Sequence, residues 1–181
     1  GGTATQDVTI TITGEGDNVA PDANDDAYDA IGNVTLTVPA GTGVLANDTD
    51  DAGVGTGPGQ ANVTAFDPVS AQGGTVTVNA DGSFTYTSAA GFEGTDTFTY
   101  TLEDAEGETD VARVTIEVDT PVWFIDNSAL GSANTGTQAD PFSSIAAFNA
   151  AQGTANGPAP GETVYLREGT GTYAEADGIN L

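Results

Sequence analysis

Asp22, Asp25 and Asp26, with Asn24 among them, form one of several short acidic clusters in this chain. The others are Asp17-Asn18, the run Asn47-Asp48-Thr49-Asp50-Asp51, and Glu103-Asp104. Such clusters offer several oxygens from one short loop. A hard cation such as Ca²⁺ takes roughly six to eight oxygen ligands, mostly carboxylates and carbonyls, from flexible loops of this kind. The candidate metal ligands are therefore Asp17, Asn18, Asp25, Asp26, Asn47, Asp48, Asp50, Asp51, Glu103 and Asp104, and the cofactor they imply is Ca²⁺. Without a cation, these carboxylates would repel one another in the folded chain. Two plainer readings compete. Asp and Asn favour turns and left-handed backbone whatever they bind, and an acidic surface alone keeps a protein soluble in salt. Asp81, before Gly82, reads as hairpin chemistry; Asp126 reads as a loop residue and Asp140 as a helix cap.

The charge balance excludes several functions. The 181 residues hold 27 Asp plus Glu against Arg113 and Arg167, with no Lys and no His, for a formal charge of −25. Nucleic acid and anionic membrane both need Lys and Arg, so neither is expected as a partner. With no Cys there is neither a disulfide scaffold nor a thiolate metal site. A pair such as Glu103-Asp104 has the types of a glycosidase couple. No His, Lys or Cys stands ready to assist it, and no enzymatic role is expected. No apolar run approaches the roughly 18 residues of a membrane helix. Lacking Met, the chain reads as an internal piece of a longer protein.

Strands must position these acids. Val8-Ile10-Ile12, Val34-Leu36-Val38, Val76-Val78, Phe84-Tyr86, Phe98-Tyr100-Leu102 and Val114-Ile116-Val118 all alternate with polar residues. Period-two alternation rich in Thr, Val, Tyr and Phe predicts half-buried strands. Asn79-Ala80-Asp81-Gly82 predicts a tight hairpin, and Asp104–Gly107 another turn. Short strands punctuated this closely predict an immunoglobulin-type sandwich. Phe66, Phe84, Tyr86, Phe92, Phe98, Tyr100 and Trp123 are expected in cores. Val8–Ile12 is echoed by Val114–Val118, each after a Gly-rich turn and before an acidic, Pro-containing segment. Residues 1–20 then read as the last strand of a preceding repeat plus a linker, and 21–119 as one sandwich module; alternatively the first strand joins this sandwich at an edge. From 120 the character changes. Val122–Ile125 predicts an apolar strand, Asp140-Pro141 a capped helix over 141–151 with Phe142, Ile145 and Phe148 on one face, and Thr163–Arg167 a further strand. Too few elements follow 120 to bury a core alone.

The stretches APDANDD (20–26), GVLANDTDDAG (43–53), GGTVTVNADGSFTYTSAAGFEGTDTFTYTLEDAEG (73–107) and ARVTIEV (112–118) resemble, in order and spacing, the bacterial immunoglobulin-like and cadherin-like repeats of large secreted, RTX-type adhesins. The linker Gly16–Pro21 resembles the Asp-Asn-x-Pro calcium linker between cadherin repeats, and Asp48-x-Asp50 the Asp-x-Asp pair of that site; Val19 departs by standing where many such repeats carry a polar residue. VWFIDNS (122–128), GTQADPFSSIAAFNAA (136–151) and GETVYLREGTGTY (161–173) resemble the start of a right-handed parallel β-helix. The resemblance implies an all-β chain, a Greek-key sandwich followed by the cap and first strands of a β-helix. It further implies a calcium-stiffened stalk at the extracellular surface of a bacterium. Its partners would be neighbouring repeats, with a surface glycan or protein ligand or self-association besides. The alternatives are an accessory domain of a β-helical polysaccharide lyase or hydrolase, or a subunit of a surface layer or filament.

Overall fold

The computed structural model describes residues 18–57, 59–129 and 133–167. The strand Val8–Ile12 and the ligand candidate Asp17 lie outside the described residues.

Alternation builds the sandwich. Along β6 (Gly94–Glu103) every second residue is buried, which sends Asp96, Phe98, Tyr100 and Leu102 to one face. β7 (Thr109–Asp119) answers with Ala112, Val114, Ile116 and Val118. The antiparallel register sets Phe98 against Val114 and Tyr100 against Ala112, so the largest ring on this face meets the smallest side chain. β1 (Asp26–Ile31) runs parallel to β7 on one side, and β3 (Asn62–Phe66) antiparallel to β6 on the other, with a bulge between Val63 and Ala65. This four-stranded sheet has the order β1-β7-β6-β3. The opposing sheet has the order β2-β5-β4, from β2 (Leu36–Val38), β4 (Thr75–Val78) and β5 (Phe84–Thr87). β1 and β2 are consecutive yet belong to different sheets, and the first strand pairs with the last, as a Greek-key sandwich requires. The sheets meet over Val38, Val76, Val78, Phe84 and Tyr86. Phe84 packs edge-on against Tyr28 at 4.9 Å and Phe98 at 5.7 Å between ring centres. Burying each large side chain contributes about 1.5–3 kcal/mol.

The predicted hairpin forms between β4 and β5: Gly82 N–H donates to Asn79 O, and Asp81 Oδ1 accepts from the Ser83 amide and hydroxyl. β2 is shorter than the alternation suggests, because Val34 belongs to the turn after β1.

β8 (Val122–Ile125) and β9 (Thr163–Leu166) form a parallel pair, Val122 opposite Thr163, joined through the single α-helix among the described residues. A second core gathers Trp123, Ile125, Phe142, Ile145 and Phe148. Trp123 stacks on Phe142 at 5.9 Å, and its indole N–H donates to Glu162 Oε2 at 2.7 Å. The helix, α1, spans Ile145–Ala151 rather than 141–151, and its cap is Ser144, whose hydroxyl accepts from Ala147 N–H. Asp140 is occupied elsewhere. Its Oδ1 accepts from Ala133 N–H, and its Oδ2 from the Thr135 amide and hydroxyl. Phe142 is extended beside β8, donating to Phe124 O at 2.8 Å and accepting from Asp126 N–H at 2.9 Å. That bridge holds residue 142 out of the helix. Asp126 is a loop residue as expected, its Oδ1 accepting from the Ser128 amide and hydroxyl.

Candidate functional site

The acids of the N-terminal linker, the 47–51 loop and the β6–β7 turn collect at one pole of the sandwich, at the start of β1. Reciprocal backbone bonds zip Asp22 to Thr49, at 2.9 and 3.1 Å. Asn24 and Asn47 exchange amides across this seam. Asn24 Nδ2 donates to Asn47 O at 3.1 Å, and Asn47 Nδ2 donates to Asp25 O at 3.1 Å and Asn24 O at 3.3 Å. Asn47 thus spends its side chain on the linker backbone.

Asp48 is the anchor of the loop. It is 7 % exposed, and its Oδ1 accepts from Asn24 N–H at 2.7 Å. Its Oδ2 lies 2.8 Å from the Tyr100 hydroxyl. That hydroxyl has one proton and also sits 3.0 Å from Val44 O; the charged acceptor is the stronger one. Burial raises the Asp48 carboxyl above its usual range, opposed by the Asn24 and Tyr100 hydrogen bonds and reinforced by Asp110 and Asp22. Asp26 is pushed further, to about 7, by burial first and then by the charge of Asp48, with Tyr100 acting against the rise. Its Oδ2 is buried with no donor in hydrogen-bonding geometry, although the Tyr100 and Tyr28 hydroxyls both temper the rise. Asp50 is similar: Oδ2 accepts from Ala52 N–H at 3.2 Å, and Oδ1 is buried and unpartnered. Tyr28 and Tyr100 are both raised by burial, with Asp26 the first charge acting on Tyr28 and Asp48 the chief partner of Tyr100.

A second knot lies at the β6–β7 turn. Asp104 Oδ1 accepts from the Glu106 and Glu108 amides at 3.0 and 2.8 Å. Its Oδ2 accepts from Asn18 Nδ2 at 2.8 Å, and Asn18 also donates to Glu108 Oε2 at 3.1 Å. The Asn18 hydrogen bond is the leading cause that holds Asp104 below the usual carboxylate range. Thus the linker is tied to the sandwich at Asn18.

Other candidates point elsewhere. Asp25 Oδ1 accepts from Arg113 N–H at 2.8 Å, on β7. Glu103 takes the Thr64 hydroxyl at 3.1 Å on the outer face of the β3–β6 pair. Asp51 is exposed. Among the described residues, no three acids stand together as a group that could hold a metal ion.

Several polar residues of this pole and fold escaped the sequence reading. Asp110 Oδ2 accepts from Ala23 N–H at 2.9 Å. Tyr100, expected as plain core, also brings a hydroxyl to the acids. Asp96 sits inside the sandwich, 1 % exposed, with Oδ2 accepting from the Ser70 and Tyr86 hydroxyls at 2.5 and 2.7 Å and Oδ1 from the Gln72 and Thr97 amides, both at 2.8 Å. A core-phase Asp in the alternation of β6 was the available signal. Away from the acidic pole, a groove of about 260 Å³ lies along Ala30–Ile31 and Val34–Thr37, with Asp29 and Asp119 on its rim.

A Greek-key sandwich with acid-rich loops at one pole is the architecture of cadherin- and immunoglobulin-like modules. The family model of the bacterial cadherin-like domain matches residues 18–120, more than half of the chain, and the chain belongs to that family. Such a domain is a structural, non-catalytic module and fits an extracellular, adhesin-type protein. No helix among the described residues is long and apolar enough to cross a membrane. A comparison with curated proteins gives no significant match. Among solved structures, a nucleoside hydrolase-related hypothetical protein from Saccharophagus degradans, associated with carbohydrate metabolism, is 12% identical with a TM-score of 0.36. A 2,6-sialyltransferase from Photobacterium sp. JT-ISH-224 is 11% identical with a TM-score of 0.31. These alignments cover 56% and 61% of this chain but only 26% and 20% of those proteins.

Proposed function

We propose that the chain is a calcium-stabilised stalk or spacer module of a large extracellular bacterial adhesin or surface protein of the RTX type, contributing to cell adhesion. The carrying observation is the pair of buried carboxylate oxygens without partners, Asp26 Oδ2 and Asp50 Oδ1, at the pole where the N-terminal linker enters. A buried anion lacking a donor destabilises the fold unless it is protonated or meets a cation. Ca²⁺ would be held by Asp26 and Asp50, with loop and linker oxygens and water completing its shell; of the other candidates, Asp17, Asn18, Asp51 and Asp104 would join only if the linker rearranged around the ion, and Asp25 and Glu103 face away from it. Asn47 and Asp48 would shape the loop as well as supply oxygens. Calcium here would fix the linker's angle and join the module to the repeat before it. Residues 122–167 would begin a parallel β-helix, a reading supported by the parallel β8–β9 pair. That same pair favours the second reading, an accessory domain on a β-helical polysaccharide lyase or hydrolase. A surface glycan or protein, or another copy of the chain, would be the outer partner.

Thermal unfolding in EDTA, in CaCl₂ and in MgCl₂ tests the calcium reading. A ligand at about a hundredfold its Kd stabilises by about 2.7 kcal/mol, a rise of roughly 5–10 °C for a chain of this size. Asp50→Asn, which keeps the shape of the side chain, should remove most of that rise. Equal responses to calcium, magnesium and plain salt would refute a dedicated site.

A further inference from the structure

The other pole of the sandwich, at the end of β1, carries contacts of a different chemistry. β7 ends at Asp119 and β8 begins three residues later at Val122. Gly32 bridges the two: its N–H donates to Asp119 O at 3.0 Å, and its carbonyl accepts from Val122 N–H at 3.0 Å. The parallel β1–β7 ladder therefore runs on into the first residue of β8. Asn33 comes next, fully buried with φ 66°. Its backbone carbonyl accepts from Gln138 N–H at 2.8 Å, and Gln138 Oε1 accepts from Thr35 N–H at 3.2 Å. Asn33 Oδ1 takes Gly91 N–H at 2.8 Å, and the Asn33 backbone N–H donates to Ser88 Oγ at 3.1 Å. The turn after β1 thus grips the turn before β6 on one side and the C-terminal unit on the other.

The surfaces meet too closely for side chains. A Cβ on Gly91 would come within 2.5 Å of Asn156 O and 3.2 Å of the Trp123 ring. A Cβ on Gly32 would lie 2.9 Å from Phe92 O and 3.0 Å from Asp119 O. Three separate stretches of the C-terminal unit touch the sandwich here: 121–123, Gln138 and Asn156. None of these contacts is between charged side chains.

We infer that this pole is a fixed dock on which residues 122–167 fold, so that the sandwich caps the second core and the two units unfold as one body without any cation. The second core is small, only five buried residues around Trp123, and a core of that size does not sustain a fold alone. Backbone hydrogen bonds and a two-residue connection supply the missing order: a linker this short leaves almost no conformational freedom between the units.

Trp123 is the chain's one tryptophan and is 1 % exposed, so its fluorescence reports on the second core and on its seam with the Gly91 turn. Far-UV circular dichroism is dominated by the sandwich strands. Both signals are followed during heating of the whole chain in EDTA and again in CaCl₂. Docking predicts coincident midpoints under both conditions, whatever calcium does to their common value. Gly91→Val, strained at φ 69° as well as crowded against Asn156, should lower both midpoints and the fluorescence midpoint by more, so that it precedes the dichroism transition. Gln138→Ala, placed on the C-terminal side and costing the sandwich only the acceptor of Thr35 N–H, should produce the same order with a smaller gap. Separate transitions in the unmodified chain, or a fluorescence midpoint that neither variant moves, would overturn the inference. Because the test is complete in EDTA, its outcome is independent of the calcium reading.

Discussion

Asp26 should make the calcium-free protein lose stability as pH rises from about 4 to about 7, with the last part of the loss falling between pH 5.5 and 7.5. Its carboxyl stands at about 7 in the fold against an ordinary value of 3.8. Between those values the folded state holds a proton that the unfolded state has released, so stability falls with rising pH. Below 3.8 both states are protonated and Asp26 contributes nothing; above 7 both are ionised and the full cost of the buried charge is felt. A gap of about three units at about 1.4 kcal/mol each sets an upper bound near 4 kcal/mol. The side chain is only partly buried, and solvent screening lowers the expected cost to about 2 kcal/mol, or roughly 4–8 °C in midpoint. Asp48, also raised, adds in the same direction. The assay is a series of thermal melts in EDTA at constant ionic strength, from pH 5.5 to 8.5, for the parent chain and Asp26→Asn. The parent midpoint should fall from pH 5.5 to 7.5. Asp26→Asn should flatten most of the slope and raise the midpoint at pH 8. Calcium, if it meets the ionised carboxylates, should flatten the parent slope as well. A midpoint that climbs from pH 5.5 to 7.5, or an unchanged slope in Asp26→Asn, would refute the reasoning.

Three further outcomes follow from single contacts. Asp96→Ala removes an acceptor shared by two hydroxyls and two amides; denaturant titration should show a loss of about 3 kcal/mol or more, with Asp96→Asn losing less. Asp104→Ala releases Asn18 and the turn amides, so hydrogen exchange at Glu106 and Glu108 should accelerate while core amides in β6 keep their protection. Ser144→Ala deletes the α1 cap and should cost about 1 kcal/mol, read as a common fall of the fluorescence and dichroism transitions.

The strands were legible because their signal is local. A two-residue period in Phe98-Tyr100-Leu102 states which face is buried before any partner is known, and Asn79–Gly82 states its own turn. The helix start was misread for a non-local reason. Asp140-Pro141 is a fair cap signal, yet a parallel bridge between Phe142 and Ile125 claims that residue for extended structure, and Ser144 caps instead. The acidic pole was legible as a set of loops but not as a set of roles. Asp48 and Asn47 look like donors to a metal, and in the fold both hold the linker through hydrogen bonds. Asp26 and Asp50 look no different in the sequence, and these two keep buried oxygens without partners. Which acid is satisfied depends on where the amides of residues 24, 52, 106 and 108 fall, and that is decided by loop conformation. Asp96 went unnoticed because its partners, Ser70, Gln72 and Tyr86, lie on other elements.

In the proposed stalk role, the two poles would divide the mechanical task by chemistry. At the end of β1, Gly32, Asn33 and Gln138 join the C-terminal unit through backbone hydrogen bonds and close packing, interactions that salt and chelators barely alter. At its start, the linker is held by Asn18, Asn24 and Asp48 amid carboxylates whose repulsion grows with pH. Hydrogen bonds alone leave Asp26 Oδ2 and Asp50 Oδ1 without donors. On the calcium reading, a cation there would neutralise several acids at once and stabilise the folded chain. The module would then be polar: fixed by hydrogen bonds at the end of β1, and responsive to its ionic surroundings at the start.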